Sequence, residues 1–277
     1  MRRFWKFTLR VLKAFKANQG LLLAGAVAYY ALLSIVPLLI LIVIALSHFI
    51  DQAQLLATVS RYLEWVVPGQ GEAIVVELSN FLQHADIFGW VLFLTMIFFS
   101  SLAFTVLENA MSVIFLHRVA IRRRHFLVSA VMPYLYILLL GVGLLVVTFV
   151  SGVLAAIEND MLSAVSLYLL GIFGEVLLIT SIYLVMPVGR LSFSHALIGG
   201  VTATVLWEIT RHLLRWYFNT LSRVSDVYGS FTTAIVILLS LEFAAILLLF
   251  GAQVISEYER LEKGAKREAP PKPLRTG

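Results

Sequence analysis

The chain has 277 residues, of which 60% are apolar types and 13% charged, and its mean hydropathy is +0.93. So few charges cannot cover a water-soluble particle of this size, where about one-quarter of residues would be charged, and the apolar residues fall in long runs, as in a membrane-embedded helical protein. The net charge of +5 comes from basic residues set beside those runs, which points to a membrane surface rather than to nucleic acid, and the lack of cysteine excludes disulfides and thiolate metal sites.

Residues 1–20 form a basic amphipathic segment. Arg3, Lys6, Arg10 and Lys13 recur at steps of 3, 4 and 3, with Phe4, Trp5, Val11, Leu12 and Phe15 between them. That spacing predicts an interfacial helix with a basic stripe suited to an anionic inner leaflet. The next apolar run, 21–50, far exceeds the roughly 7–15 residues of a signal-peptide core, so it predicts a retained first span. Ala24 and Ala28 allow another helix to approach it closely. Pro37, soon after Ser34, removes one helical hydrogen bond within it.

The segment 51–86 is more than a connector. Leu55, Val59, Tyr62 and Val66 recur at helical spacing, as do Ile74, Leu78, Phe81 and Leu82, and Pro68-Gly69 separates the two sets. Two amphipathic helices, lying on the outer face or tucked into the bundle mouth, are expected. Further spans are predicted at 87–107, 126–157, 166–186, 191–217 and 229–256, each long enough for the roughly 20 residues a crossing needs. Residues 257–277 are polar, carry Pro270, Pro271 and Pro273, and read as a disordered tail. The fold class is therefore all-α: a polytopic transmembrane bundle of six spans.

Charge sets the expected orientation. The segments 1–20, 108–125, 187–194 and 257–277 hold 6, 4, 1 and 6 Lys/Arg, 17 of the 21 in the chain. Basic flanks stay cytoplasmic, which predicts both termini inside and an even number of spans. Arg122, Arg123 and Arg124, directly before a span, read as an anchor of that orientation rather than as an RNA contact.

Ionisable residues within spans are costly and need partners. The candidates are Glu108, Glu175, Glu208, Arg211, Arg215 and Glu242. Glu208, Arg211 and Arg215 are spaced i, i+3 and i+7 and share one helix face, with Thr204 and His212 close to it. Arg211 stays protonated, so it must meet a carboxylate, water or the interface. Glu208 is its local partner, and Glu175 or Glu242 could serve across helices. One reading is a polar site for an anionic or amphipathic substrate, with a carboxylate available for proton coupling. The structural reading is a set of ion pairs that fixes helix packing, with Arg215 extended to the outer interface. Gly171, Gly174, Gly199, Gly200 and Ala203 are expected to mark close helix approach.

Enzyme signatures are missing. The six histidines are scattered without metal-ligand spacing, and there is neither a phosphate-binding Walker loop nor a Gly-x-Ser-x-Gly elbow. No cofactor, metal or catalytic residue is expected.

Two stretches carry a resemblance. Residues 28–38, including Tyr29, Tyr30, Ser34 and Pro37, resemble the first-span motif of the YihY/BrkB family of bacterial inner-membrane proteins. So does the C-terminal stretch with Trp207, Glu208, Tyr217, Tyr228-Gly229 and Gly251, and the region of Glu108 and Asn109 also fits. Gln253 stands where the family pattern has Glu after Gly-Ala, and Glu242 stands among positions that are usually aromatic. The resemblance implies a six-span inner-membrane protein and a link to envelope lipid handling; some members bear ribonuclease names, for which these residues offer no support. Three functions stay open at this point: translocation or export of an amphipathic or anionic substrate, a lipid among the candidates; a scaffold that meets an envelope protein or a second copy through 51–86; and an intramembrane enzyme acting on lipid. Membrane lipids are the expected surroundings, and nucleic acid is not an expected partner.

Overall fold

The computed structural model describes residues 2–46, 49, 51–66, 71–83, 85–115, 135, 138, 142, 160–186, 191–228 and 230–268. Among them all regular structure is helical: α1 (Arg2–Ala17), α2 (Gly20–Leu46), α3 (Gln52–Val66), α4 (Gly71–Gln83), α5 (Ala85–Ile114), α6 (Asp160–Val185), α7 (Phe193–Tyr228) and α8 (Ser230–Glu268). Within these residues, Tyr168–Val185 and Ile235–Glu262 are long and apolar enough to cross a membrane, and Gly20–Ser34 and Ser101–Ile114 are shorter apolar helical stretches. The expected span 126–157 lies outside the described residues except for Leu135, Leu138 and Val142, which are exposed.

α8 is the axis of the fold. From Gly251 to Glu257 seven successive residues are buried. Two turns covered on every side require neighbours all round, and α8 packs against α1, α2, α5 and α7. The core joins Phe15 of α1, Ala24, Val27 and Ala28 of α2, and Ala110, Met111 and Ile114 of α5. Tyr183 of α6, Ala196 of α7, and Leu249, Ala252 and Ile255 of α8 complete it. Small residues let the backbones close up. A Cβ on Gly251 would meet the Tyr183 hydroxyl and the Gly199 carbonyl oxygen, and one on Gly199 would meet the Ile255 side chain. Tyr183 fills the space that these glycines leave, and its hydroxyl donates to the Leu248 carbonyl at 2.6 Å. Ala24 and Ala28 are buried as expected. Gly174 is not a contact point: it is exposed, and a Cβ there would meet nothing within 4 Å.

Element ends differ from the expected boundaries in informative ways. α2 is described to Leu46, with a turn at Phe49. α7 runs past 217 to Tyr228, and α8 past 256 to Glu268. Residues 257–268, expected in a disordered tail, are helical. Glu, Lys and Arg are good helix formers, the first proline after 256 is Pro270, and the turn is anchored because Glu257 is buried and accepts from Arg260 at 3.1 Å. The remainder of that tail, 269–277, lies outside the described residues.

The two flanking helical features appear where the periodicity put them. α3 and α4 pack together around Val59, Leu63 and Leu78 and seat on Val43 near the end of α2. Leu55 is buried beside them, and Tyr62 and Ile74 are half-buried; the side chains of Val66, Phe81 and Leu82 lie outside the described set. α1 lies against α8, where Phe15 sits edge-on to Phe250 with ring centroids 5.7 Å apart, and Val11 is also buried. A tight turn then leads into α2, with Gln19 in the left-handed region at φ 54°.

Candidate functional site

α6 and α7 run antiparallel. Gly200 meets Thr180 near one end of their contact, and Tyr168 meets Glu208 toward the other. The bundle-facing side of α7 carries Ala196, Gly199, Gly200, Ala203, Thr204, Trp207, Arg211 and Leu214, all buried. Its opposite side shows Val201, Val205, Ile209 and Leu213 to the surroundings. Helical spacing therefore forces Arg211 into the interior, where its side chain is only 3% exposed.

Its partners explain how it is tolerated. Arg211 forms an ion pair with Glu208, one turn away. The Tyr168 hydroxyl donates to the same Glu208 oxygen, Oε2, at 2.9 Å, and its ring faces the guanidinium, with Cζ 6.0 Å from the ring centroid. His212 Nδ1 lies 2.7 Å from the Glu208 carbonyl oxygen. Glu175, two turns along α6 from Tyr168, interacts electrostatically with both Glu208 and Arg211.

Several polar atoms along this seam are buried with no hydrogen-bond partner among the described residues: Oε1 of Glu175, Oε1 of Glu208, and the hydroxyls of Thr180 and Thr204. Ser240 of α8 adds a fifth residue of this kind. Orphaned buried polar atoms cost free energy, on the order of 1–3 kcal/mol each, and such groups in a membrane bundle commonly mark water or a bound polar group. The chemistry on offer is polar and ionic: one fixed cation, carboxylates that accept protons, and hydroxyls that donate.

Not every expected residue joins. Glu242 reaches the level of Glu208, because equal steps of nine residues from the Gly199–Gly251 contact lead to these two. It makes no hydrogen bond or ion pair among the described residues. Glu108 sits on α5, which packs on α2 and α8 instead. Arg215 shares the Arg211 face but is exposed, together with Trp216 and Tyr217. Among the motif positions, Ser34, Trp207 and Gly251 are buried. Tyr29 and Asn109 are exposed, and Tyr29 sits edge-on to Tyr30 at 5.3 Å. α2 continues through Pro37, whose side chain, like that of Tyr228, lies outside the described set, as does Gly229.

The residues that the sequence pattern missed are uncharged or lie at element ends. Tyr168 has no local signal, since its link to Glu208 spans 40 positions. A second polar group sits where α7 starts. His195 faces Ser192 at 2.6 Å, Glu262 at 3.0 Å and Glu259 at 3.8 Å. Ser192 also caps the helix, accepting from the His195 backbone N–H at 3.4 Å, and a Ser before an apolar run is a recognisable start signal.

The described residues are helical and include two stretches long and apolar enough to cross a membrane. Residues 11–275 match the family model described as virulence factor BrkB, and the chain belongs to that family. Its relatives are membrane proteins. The UPF0761 membrane protein of Pseudomonas aeruginosa is 28% identical over 89% of this chain and 61% of its own length. That of Azotobacter vinelandii is 25% identical over 91% and 62%, and that of Vibrio parahaemolyticus 26% identical over 91% and 80%. The chain thus spans about three-fifths of the length of the first two. No solved structure matches it.

Proposed function

We propose that this chain is a six-span protein of the bacterial inner membrane, with both termini cytoplasmic. In this reading the α6–α7 seam passes the polar headgroup of an amphipathic, anionic substrate, a lipid in the simplest case, while the apolar part stays in the bilayer. The reading is non-enzymatic. The carrying observation is the buried Arg211, held with Glu208 and Tyr168 between two helices whose outer sides are apolar and exposed: Leu169 and Phe173 on α6, Ile209 and Leu213 on α7. A headgroup at such a seam meets charge, and its chains meet hydrocarbon. The 17-to-four distribution of basic residues supports the orientation.

Charge balance sharpens the mechanism. Arg211 is already neutralised by Glu208, so an arriving anion must take the guanidinium from that carboxylate. The released Glu208, with Glu175 beside it, would then leave excess negative charge in a medium of low dielectric, where uncompensated charge is expensive. Proton uptake by one of the two carboxylates removes that charge. Substrate entry and proton uptake are coupled in this scheme.

The test is transfer of headgroup-labelled phosphatidylglycerol between leaflets of vesicles that contain the purified protein. The wild type accelerates transfer. Arg211→Gln removes a charge-assisted contact worth about 1.5–3 kcal/mol, so the rate falls roughly 10–100-fold. The double variant Glu208→Gln/Arg211→Gln removes both charges, keeps the fold, and stays inactive. Wild-type protein that is folded but does not accelerate transfer overturns the proposal.

A scaffold role is the second reading. It rests on the α3–α4 hairpin, which has a small core of its own and an exposed Val76. Site-directed crosslinking from that hairpin in cells would capture one defined envelope protein or a second copy; purification as a lone monomer with no crosslink contradicts it.

A further inference from the structure

The faces of α1 are divided in a way that spacing alone did not reveal. Its apolar residues split into two sets. Val11 and Phe15 are buried, and Phe15 packs on Phe250 of α8. Trp5, Leu9 and Leu12, at steps of four and three, form a second stripe that is 65%, 39% and 49% exposed. Beside that stripe, turned roughly a quarter to a third of the circumference from it at 100° per residue, lie Lys6, Arg10 and Lys13, all exposed. Lys16 closes the apolar stripe in the last turn.

We propose that this double stripe is a docking surface for the anionic leaflet of the membrane, with Trp5, Leu9 and Leu12 set among acyl chains and Lys6, Arg10 and Lys13 against lipid phosphates. Three observations identify lipid as the occupant. The first is charge: no acidic residue occurs before Asp51, and none of the three basic side chains makes an ion pair among the described residues. Each basic residue near an anionic surface is worth about 1 kcal/mol, or roughly five-fold in partitioning. The second is continuity. α1 ends three residues before α2 begins, and Leu21 and Leu22 in the first turn of α2 are 64% and 70% exposed. The apolar stripe of α1 therefore approaches the membrane-facing side of an apolar helix. The third is rigidity. The Asn18 side-chain amide donates to buried Gln253 at 2.9 Å, and Phe15 packs on Phe250. The helix is held in place before lipid arrives, so the entropy cost of ordering it is already met by the fold.

The surface is independent of the α6–α7 seam, and its test does not use transport. The chain has no cysteine, so Leu9→Cys in the full-length protein gives one spin-label site. Its accessibility to oxygen and to a water-soluble nickel chelate is measured in bilayers with and without phosphatidylglycerol. With phosphatidylglycerol present, oxygen reaches the label several-fold more readily than the chelate. Adding Lys6→Gln, Arg10→Gln and Lys13→Gln removes that preference while the elution profile of the protein stays unchanged. A label open to the chelate in both bilayers overturns the proposal. So does one shielded from both reagents, which would mean that protein covers the stripe, and so does immersion indifferent to the three substitutions.

Discussion

Tyr183 decides how closely three helices meet. It is fully buried, its hydroxyl caps onto the Leu248 carbonyl, and Gly199 and Gly251 supply the room for its ring. Glycine at 251 is therefore a packing requirement. Gly251→Ala forces a methyl group against the tyrosine hydroxyl and a backbone carbonyl, an overpacking cost of about 1–3 kcal/mol. Gly174→Ala fills open space on an exposed helical face and gains up to about 1 kcal/mol of helix propensity. Thermal unfolding in detergent separates the two: the midpoint falls for the first and holds or rises for the second. Equal midpoints would contradict this packing account. Arg211 illustrates what is legible at this scale. Its spacing from Glu208 is local and could be read directly, whereas Tyr168, which completes the group, arrives from another helix. Gln253 is a similar case. As a departure from the family motif it carries no meaning until Asn18 is seen to donate to it.

At the scale of elements, periodicity located the helices but not their ends. α3 and α4 were readable because one face of each is apolar and the other polar. α7 and α8 overran their expected limits because hydropathy reports where the bilayer is, while helix termination depends on caps, prolines and local ion pairs. α1 was readable as amphipathic, yet its tie to α8 was not. That tie predicts a measurable stiffness. Asn18→Ala leaves Gln253, 1% exposed, without its donor, a loss of about 1–3 kcal/mol. Hydrogen exchange of the α1 amides should then quicken while that of α8 is unchanged. Protection of α1 equal to wild type would mean that Phe15 and Val11 alone hold the helix.

The whole molecule has a dense end and a polar seam. Around Tyr183, Gly199 and Gly251 the packing is close enough that added methyl groups collide. Nine residues further along α7, about 13 Å at the helical rise, Glu208 and Arg211 sit with Glu175 and orphaned hydroxyls nearby. Composition and charge distribution were enough to read an all-helical membrane protein, and the motifs were enough to place its family. They did not separate a structural ion pair from a transit site, because that depends on which polar atoms remain unsatisfied once the helices are packed. The central claim is that this seam holds water or a lipid headgroup. A density map of the protein extracted in its native lipid tests it most directly. The account predicts ordered density, water or headgroup, within hydrogen-bonding distance of Arg211 and of the Glu175 and Glu208 oxygens that lack partners. A dry, fully packed seam with those atoms enclosed by side chains would contradict it.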